Sequence, residues 1–125
     1  MSVSSSFIDL VKDALGGFGP VSVHRLFGGA GLYADGAMFG LVAGDALYLK
    51  ADEVSKADFA AEGMEPFGYM AAGKRRVIPS FWRAPERLLD DPEEMSQWAR
   101  RALAAAKRAT KGARRGGRAA RRVSA

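Results

Sequence analysis

Two short glycine-containing turns, Asp35-Gly36 and Gly44-Asp45, constrain the fold of this chain more than any other feature. They separate segments rich in strand-forming residues, and the four segments of this region are residues 21–27, 30–34, 37–43 and 46–51. Glycine accepts a positive φ at little cost, so a two-residue turn of this kind joins neighbouring antiparallel strands. The pattern predicts a meander of about four antiparallel strands with short connections.

Further elements are predicted before and after the meander. Serines at positions 4–6 can cap a first helix whose apolar stripe includes Leu10 and Val11. Asp52 can cap a second helix that ends near Gly63. Residues 66–70 and 75–78 are typical of a second hairpin.

The last helix has a well-marked start. Asp91 stands in the cap position, Pro92 occupies the first helical position, and two glutamates follow in the first turn. The apolar spacing that follows predicts a helix with Trp98 on its buried face, running to about Thr110.

The charges divide the chain into two unlike parts. It has 125 residues and a formal net charge of +5. Residues 1–99 contain 9 basic and 14 acidic residues, whereas residues 100–125 contain 10 basic residues and no acidic ones. We therefore expect an acidic body of charge −5 joined to a basic end of charge +10.

Several classes of site are excluded or disfavoured. The chain has no cysteine, so it holds no disulfide, thiol nucleophile or thiolate metal site. His24 is its only histidine and lies in a predicted strand, where it has no partners for a catalytic triad. The acids at positions 90–94 are explained better by helix capping than by acid–base catalysis. We expect no enzyme activity, no metal and no cofactor.

Residues 29–34 match the letters of the glycine-rich dinucleotide-binding motif. That chemistry needs a helix immediately after the loop, because the helix N-terminus holds the pyrophosphate. Here the Asp35-Gly36 turn follows at once, so a strand is expected instead. The glycines are then turn and bulge positions of the meander.

The basic end is the strongest candidate for a binding site. At about 100° per residue its cations share a wedge of roughly 160° on a helix, with Arg101 at the edge. Such a stripe can follow the phosphates of a nucleic acid, without reading its bases. The candidate residues are Arg100, Lys107, Arg108, Lys111, Arg114, Arg115, Arg118, Arg121 and Arg122. The alternative is a solubilising tail with no partner.

Two weaker candidates are the aromatic residues and a second basic cluster. Tyr33, Phe39 and Tyr48 would be able to stack bases if they were exposed on the sheet. A domain of this size more often buries such residues in its core. The cluster at residues 74–76 is most simply a solvated hairpin tip.

The start of the chain does not resemble a secretory signal, because residues 1–6 contain neither a basic residue nor a long apolar run. The longest weakly polar stretch, residues 37–49, is too short to span a bilayer. The lack of cysteine fits a reducing compartment. We therefore predict a cytoplasmic protein with no membrane segment.

Several segments together resemble a known family. They are the glycine-rich hairpin of residues 25–42 with the Leu-Tyr-Leu-Lys of residues 47–50, then Pro-Phe-Gly-Tyr at residues 66–69, Phe-Trp at residues 81–82, Pro-Glu at residues 85–86 and Trp-Ala at residues 98–99. This pattern is similar to the N-terminal domain of the TfoX/Sxy proteins, named for bacterial regulators of competence and DNA transformation. The resemblance covers roughly residues 5–108.

The resemblance implies a two-layer α+β domain, an antiparallel sheet with packed helices similar to secretion-chaperone-like folds. It divides the chain into a domain at residues 1–108 and a basic tail at residues 109–125. Full-length competence regulators look like two-domain proteins, and the tail stands where their second domain would follow. The resemblance also implies a transcriptional co-activator or adaptor, and it carries no catalytic residues.

Two functions remain open from the sequence. The first is a regulatory protein that binds DNA or another polyanion through its basic tail and a protein partner in transcription through its body. The second is a protein-interaction module that forms a homodimer through a sheet edge or a helix face, with a tail that only solubilises.

Overall fold

The structure, a computed structural model, describes residues 4–26 and 28–124, and their side chains at residues 4–25 and 28–110. Its strands form one antiparallel sheet in the order β1-β2-β3-β4-β6-β5. The strands are β1 (Ser22–Leu26), β2 (Gly29–Ala34), β3 (Ala37–Ala43), β4 (Ala46–Lys50), β5 (Pro66–Ala71) and β6 (Lys74–Arg83). The helices are α1 (Ser5–Ala14), α2 (Lys56–Ala61), a 3₁₀ helix (Glu86–Asp90) and α3 (Pro92–Ser124). The predicted α+β fold is confirmed.

The predicted turns have the geometry that hairpins prefer. Asp35 and Gly36 have φ angles of 51° and 76°, and Gly44 and Asp45 have φ angles of 57° and 56°. Positive φ at both central residues is the condition for a type I′ turn, whose twist matches that of the flanking strands. The meander β1–β4 and the short glycine-bearing connections are therefore as expected, and β2 continues into a hairpin rather than into a nucleotide-binding helix.

The second hairpin joins the same sheet. Strand β6 pairs with β4, with Leu49 opposite Trp82, and β5 pairs with β6 at the edge. The sheet therefore has two edge strands, β1 and β5, among the described elements.

Helix α1 packs on the sheet through a stripe that differs in part from the predicted one. Ser4 caps the helix by accepting a hydrogen bond from the Phe7 backbone N–H at 3.2 Å. Ile8 and Val11 are buried, whereas Leu10 is 42% exposed. At 100° per residue, Leu10 lies about 100° from the centre of the buried face, so its assignment to the core was wrong.

The other helices begin where local chemistry places them. The Asp91 carboxylate accepts from the Glu94 backbone N–H at 3.1 Å, which caps α3 as predicted. Asp52 instead closes a turn with Ser55, and α2 begins only at Lys56. Helix α3 continues past Thr110, the predicted end. The glycines in this segment cost only about 1 kcal/mol each relative to alanine, and alanine and arginine favour helix.

The helices cover one face of the sheet and leave the other uncovered by any described helix. Helix α3 packs on β3 and β4 through Met95, Trp98 and Ala102, and the main core lies between these layers. A second apolar cluster contains strand residues only and lies on the opposite side. We call that side the open sheet face: Tyr33, Met38, Leu41, Ala43, Tyr48, Phe67, Tyr69, Ile78 and Phe81. None of the described helices combines the length and apolar character needed to cross a membrane.

Candidate nucleic-acid interface

The basic residues of α3 fall into two groups according to what they contact. The buried face of α3 is formed by Met95, Trp98 and Ala102. Arg100 lies on the far side of the helix, where it is exposed and makes no ion pair with the described side chains. Its guanidinium is therefore available to a ligand in solution.

Lys107 and Arg108, by contrast, hold α3 onto the body. The Lys107 ammonium lies 3.0 Å from the Asp35 carboxylate in the β2–β3 turn. The Arg108 guanidinium donates to both oxygens of Asp52, at 2.7 and 3.1 Å. Arg101 makes a third such contact with Asp58 at 3.0 Å. The acidic body and the basic end thus partly neutralise each other along both sides of α3.

The Asp52–Arg108 pair has the clearest electrostatic signature. Hydrogen bonds from Arg108, assisted by those from the Ser55 backbone and hydroxyl, lower the pKa of Asp52 to about 2. The same pair raises the pKa of Arg108. Asp52 therefore stays charged through most of the acid range and acts as a fixed anchor for the helix.

The remaining predicted contacts lie further along α3. The side chains of Lys111, Arg114, Arg115, Arg118, Arg121 and Arg122 lie outside the described part of the chain. The role of all nine candidate residues in binding nucleic acid stays a prediction. The boundary between the domain at residues 1–108 and the basic tail at residues 109–125 also stays a prediction.

A second charged cluster is centred on Arg87 in the 3₁₀ helix. Its guanidinium contacts Glu62 at 2.6 Å and Glu94 at 2.8 Å, and its hydrogen bonds lower the pKa of each carboxyl. The neighbouring cavity, of about 540 Å³, is lined by residues 62–65 and 83–87. Because the Arg87 guanidinium pairs with both carboxylates, it connects Glu62 at the end of α2 to Glu94 at the start of α3.

The three aromatic candidates separate onto the two faces of the sheet. A β-bulge pairs Leu32 with Gly40 and Tyr33 with Met38, which leaves Phe39 as the extra residue. Phe39 is fully buried in the main core, with its ring centroid 5.1 Å from that of Phe18. Tyr33 and Tyr48 are half-buried on the open sheet face.

With the fold in place, the comparison with protein families is decisive. The family model described as the TfoX N-terminal domain matches residues 13–106. The chain belongs to this family. No curated protein matches it at the threshold of significance.

The match to the TfoX N-terminal domain coincides with the packed part of the molecule. It begins within α1, includes all six strands and ends at Ala106, which is buried against the body. Lys107 and Arg108, the anchoring cations, follow directly after it. Of the nine predicted binding residues, only Arg100 lies within the matched range.

Sequence reasoning did not single out the other aromatic residues of the open sheet face, notably Phe67, Tyr69 and Phe81. The absence of acidic residues from the predicted strands would have pointed to these aromatic residues. None of the 14 acidic residues of this TfoX N-terminal domain protein lies in the six described strands.

The Asp52–Arg108 pair predicts a specific pH dependence. In the folded state the pKa of Asp52 is about 2, against an ordinary value of 3.8, so its stabilising effect is complete above about pH 5 and is lost as the pH falls through about 2. We expect Arg108→Gln to lower the free energy of unfolding by about 1 kcal/mol at pH 6, since the pair is partly exposed, and by almost nothing at pH 2. Urea unfolding followed by circular dichroism across this range measures the difference.

Arg100→Gln is the matched control for this experiment, because Arg100 is exposed on the same helix and pairs with no described carboxylate. Its effect on stability should be small and independent of pH. A deficit of Arg108→Gln that is the same at pH 2 and pH 6 would contradict the assigned role of Asp52.

Proposed function

We propose that this protein is a non-enzymatic regulatory protein that associates with nucleic acid through the basic end of α3. Membership in the TfoX N-terminal domain family supports a competence-related regulatory role. The observation that carries the nucleic-acid part is the charge of residues 100–125, which include ten basic residues and no acidic one. A surface of this kind binds polyanions by releasing their counterions.

The ion pairs of α3 refine this proposal. Arg101, Lys107 and Arg108 are engaged by body carboxylates, so their charges are partly compensated before any ligand arrives. The binding segment is therefore best defined as Arg100 together with the residues after Arg108. In this arrangement the body fixes where α3 leaves the domain, and the basic end contacts the phosphates.

Phosphate contacts of this type position a protein on nucleic acid but read no sequence. Selection of a target would then come from a protein partner of the body. The protein acts in this proposal as a transcriptional co-regulator or adaptor, which keeps its partner and the DNA close together. We place it in the cytoplasm.

The proposal is tested with duplex DNA and the full chain. Arg114, Arg115, Arg118, Arg121 and Arg122 are replaced together by glutamine, which leaves the described ion pairs of Arg101, Lys107 and Arg108 intact. Each phosphate contact contributes about 0.9 to the slope of log affinity against log salt, so we expect the magnitude of that slope to fall by about 4.5 if all five arginines contact phosphates. Fluorescence anisotropy at several salt concentrations measures it.

Replacement of the same five arginines by lysine is the matched control, since it keeps the charge and should retain most of the affinity. An unchanged affinity and salt slope in the glutamine variant would exclude the basic end as the nucleic-acid site.

A second candidate function is a homodimeric protein-interaction module, and the edge strand β5 favours it. Met70 on this strand is 66% exposed, and an unpaired edge offers backbone groups to another chain. A stable dimer in sedimentation, combined with no DNA binding at physiological salt, would support this function over the first.

A further inference from the structure

The sheet carries charge of one sign only. The six described strands contain His24 and six Lys or Arg residues, but none of the 14 Asp and Glu residues. Low strand propensity explains only part of this imbalance. Aspartate is depleted from strands more than lysine, but glutamate is depleted to a similar degree, and none of the 6 glutamates lies in a described strand either. The acids lie in turns, loops and helices instead, where several of them anchor α3.

Part of this positive charge lies on the open sheet face. Lys50 pairs across the sheet with Phe81 and places its ammonium 4.9 Å from the centre of that ring. Arg76 is the register partner of Tyr69, and Lys74 lies two residues along the same strand, so both point to the same side as Tyr69. Side chains at paired positions of antiparallel strands share one face.

Aromatic rings run across the same face. Tyr48 on β4 meets Phe67 on β5 edge-to-face, with centroids 4.8 Å apart, and Phe67 is stacked with Tyr69 at 6.0 Å. Near the other edge the ring of Tyr33 lies 5.0 Å from that of His24. Tyr33 and Tyr48 are half-buried and Tyr69 is 39% exposed, so the rings rest on the sheet without being enclosed.

The cations of this face favour an anionic occupant. A second copy of the chain would pack the face against itself, because a two-fold interface places the same patch on both sides. Lys50, Lys74 and Arg76 would then face one another without a carboxylate from any described strand. A ligand with both phosphates and planar rings complements cations and aromatic rings together.

We propose that the open sheet face binds single-stranded nucleic acid, with bases stacked on its tyrosines and phosphates beside its cations. From β2 to β5 the face spans four strand spacings, or about 19 Å, which accommodates several nucleotides. Base–aromatic stacking tolerates any sequence, since every base has a π-face. A duplex is not an equivalent ligand, because its bases are already stacked on one another.

This site is separate from the basic end of α3. Helix α3 packs on the opposite face of the sheet, through Met95, Trp98 and Ala102. The two sites therefore bind different features of a nucleic acid. The basic end needs only phosphate charge, whereas the sheet face needs phosphate charge and unpaired bases.

The experiment uses the full chain and fluorescent oligonucleotides of about twelve residues, oligothymidine, oligouridine and a duplex of the same length. The test variant replaces Tyr33, Tyr48 and Tyr69 by leucine, which keeps apolar bulk but removes the rings. Stacking on one ring corresponds to roughly a 5- to 150-fold change in affinity. We expect single strands to bind the variant at least tenfold more weakly, with duplex binding unchanged, and the two single strands show whether a ribose is preferred.

Replacement of the same tyrosines by phenylalanine is the matched control, because it keeps the rings and should retain the affinity for single strands. If the leucine variant does not fold, Tyr69→Leu alone supplies the test at an exposed position. Quenching of tyrosine fluorescence by oligothymidine gives a second readout on the unmodified chain.

The outcomes separate this proposal from that for the basic end. Loss of duplex affinity in the arginine-to-glutamine variant, with single-strand binding retained, supports both proposals, because the two ligands then bind at different sites. Equal loss of both ligands in that variant, with the leucine variant binding normally, overturns it. A leucine variant that changes the oligomeric state rather than single-strand affinity also overturns it, because the face would then be an interface between copies.

Discussion

Replacing Phe39 by alanine is expected to lower the free energy of unfolding by about 3–5 kcal/mol, one of the two largest effects of a single substitution that we predict. Phe39 is fully buried and its ring packs against Phe18, so the change leaves a cavity in the main core. Phe39 is the extra residue of the bulge, and the pairs Leu32–Gly40 and Tyr33–Met38 on either side hold its backbone in place. The surrounding core therefore cannot close the cavity completely. Urea unfolding measured by circular dichroism gives the difference directly.

The control for Phe39 is Leu10→Ala, a truncation of a 42% exposed side chain that should cost well under half of that amount. Phe39→Leu, which keeps most of the volume, should fall between the two. If Phe39→Ala and Leu10→Ala had similar effects, Phe39 would not be a core residue and the bulge would be wrongly placed.

Replacing Trp98 by alanine is expected to have an effect of similar size, about 3–5 kcal/mol, for a different reason. Trp98 is 6% exposed and joins α3 to α2, with its ring centroid 5.0 Å from that of Phe59 in an edge-to-face contact. Its indole N–H donates to Glu94 at 3.4 Å, and the Arg101 guanidinium lies 4.7 Å from its ring. The substitution therefore removes apolar burial, an aromatic contact and a cation–π contact together.

Trp98→Phe is the matched control, because it keeps the aromatic packing and removes only the indole N–H and part of the volume. We expect it to recover more than half of the loss. A loss below about 1 kcal/mol for Trp98→Ala in the same unfolding assay would show that α3 is held by its alanine contacts and ion pairs instead.

The distribution of charge links the fold to both proposals. Acidic residues in turns, such as Asp35 and Asp52, face α3 and hold its cations near the body. The six described strands and residues 100–125 contain no acidic residue, so both proposed sites lie on acid-free parts of the sequence. The carboxylates of Asp35, Asp52 and Asp58 pair instead with cations of α3.

Much of the fold was predictable because its signals are local. The Asp35-Gly36 turn, the Ser4 cap and the Asp91-Pro92 helix start each act within a few residues, and each is found where it was expected. The basic stripe of α3 stays a prediction from helical spacing, because the side chains of its last six members lie outside the described part of the chain. The ion pair between Lys107 and Asp35 was not predictable, because its partners are 72 residues apart and meet only once α3 has packed on the sheet.

The amino-acid sequence by itself determined the antiparallel meander, the starts of α1 and α3, and the asymmetry between an acidic body and a basic end. These follow from backbone preferences and charge, which each residue carries irrespective of distant neighbours. Only the tertiary structure decided that Phe39 is buried while Tyr48 is half-exposed, because a bulge and the side covered by α3 set those environments. The same packing assigned Lys107 and Arg108 to the body and exposed an aromatic, acid-free sheet face, since contacts between distant segments form only when the layers come together.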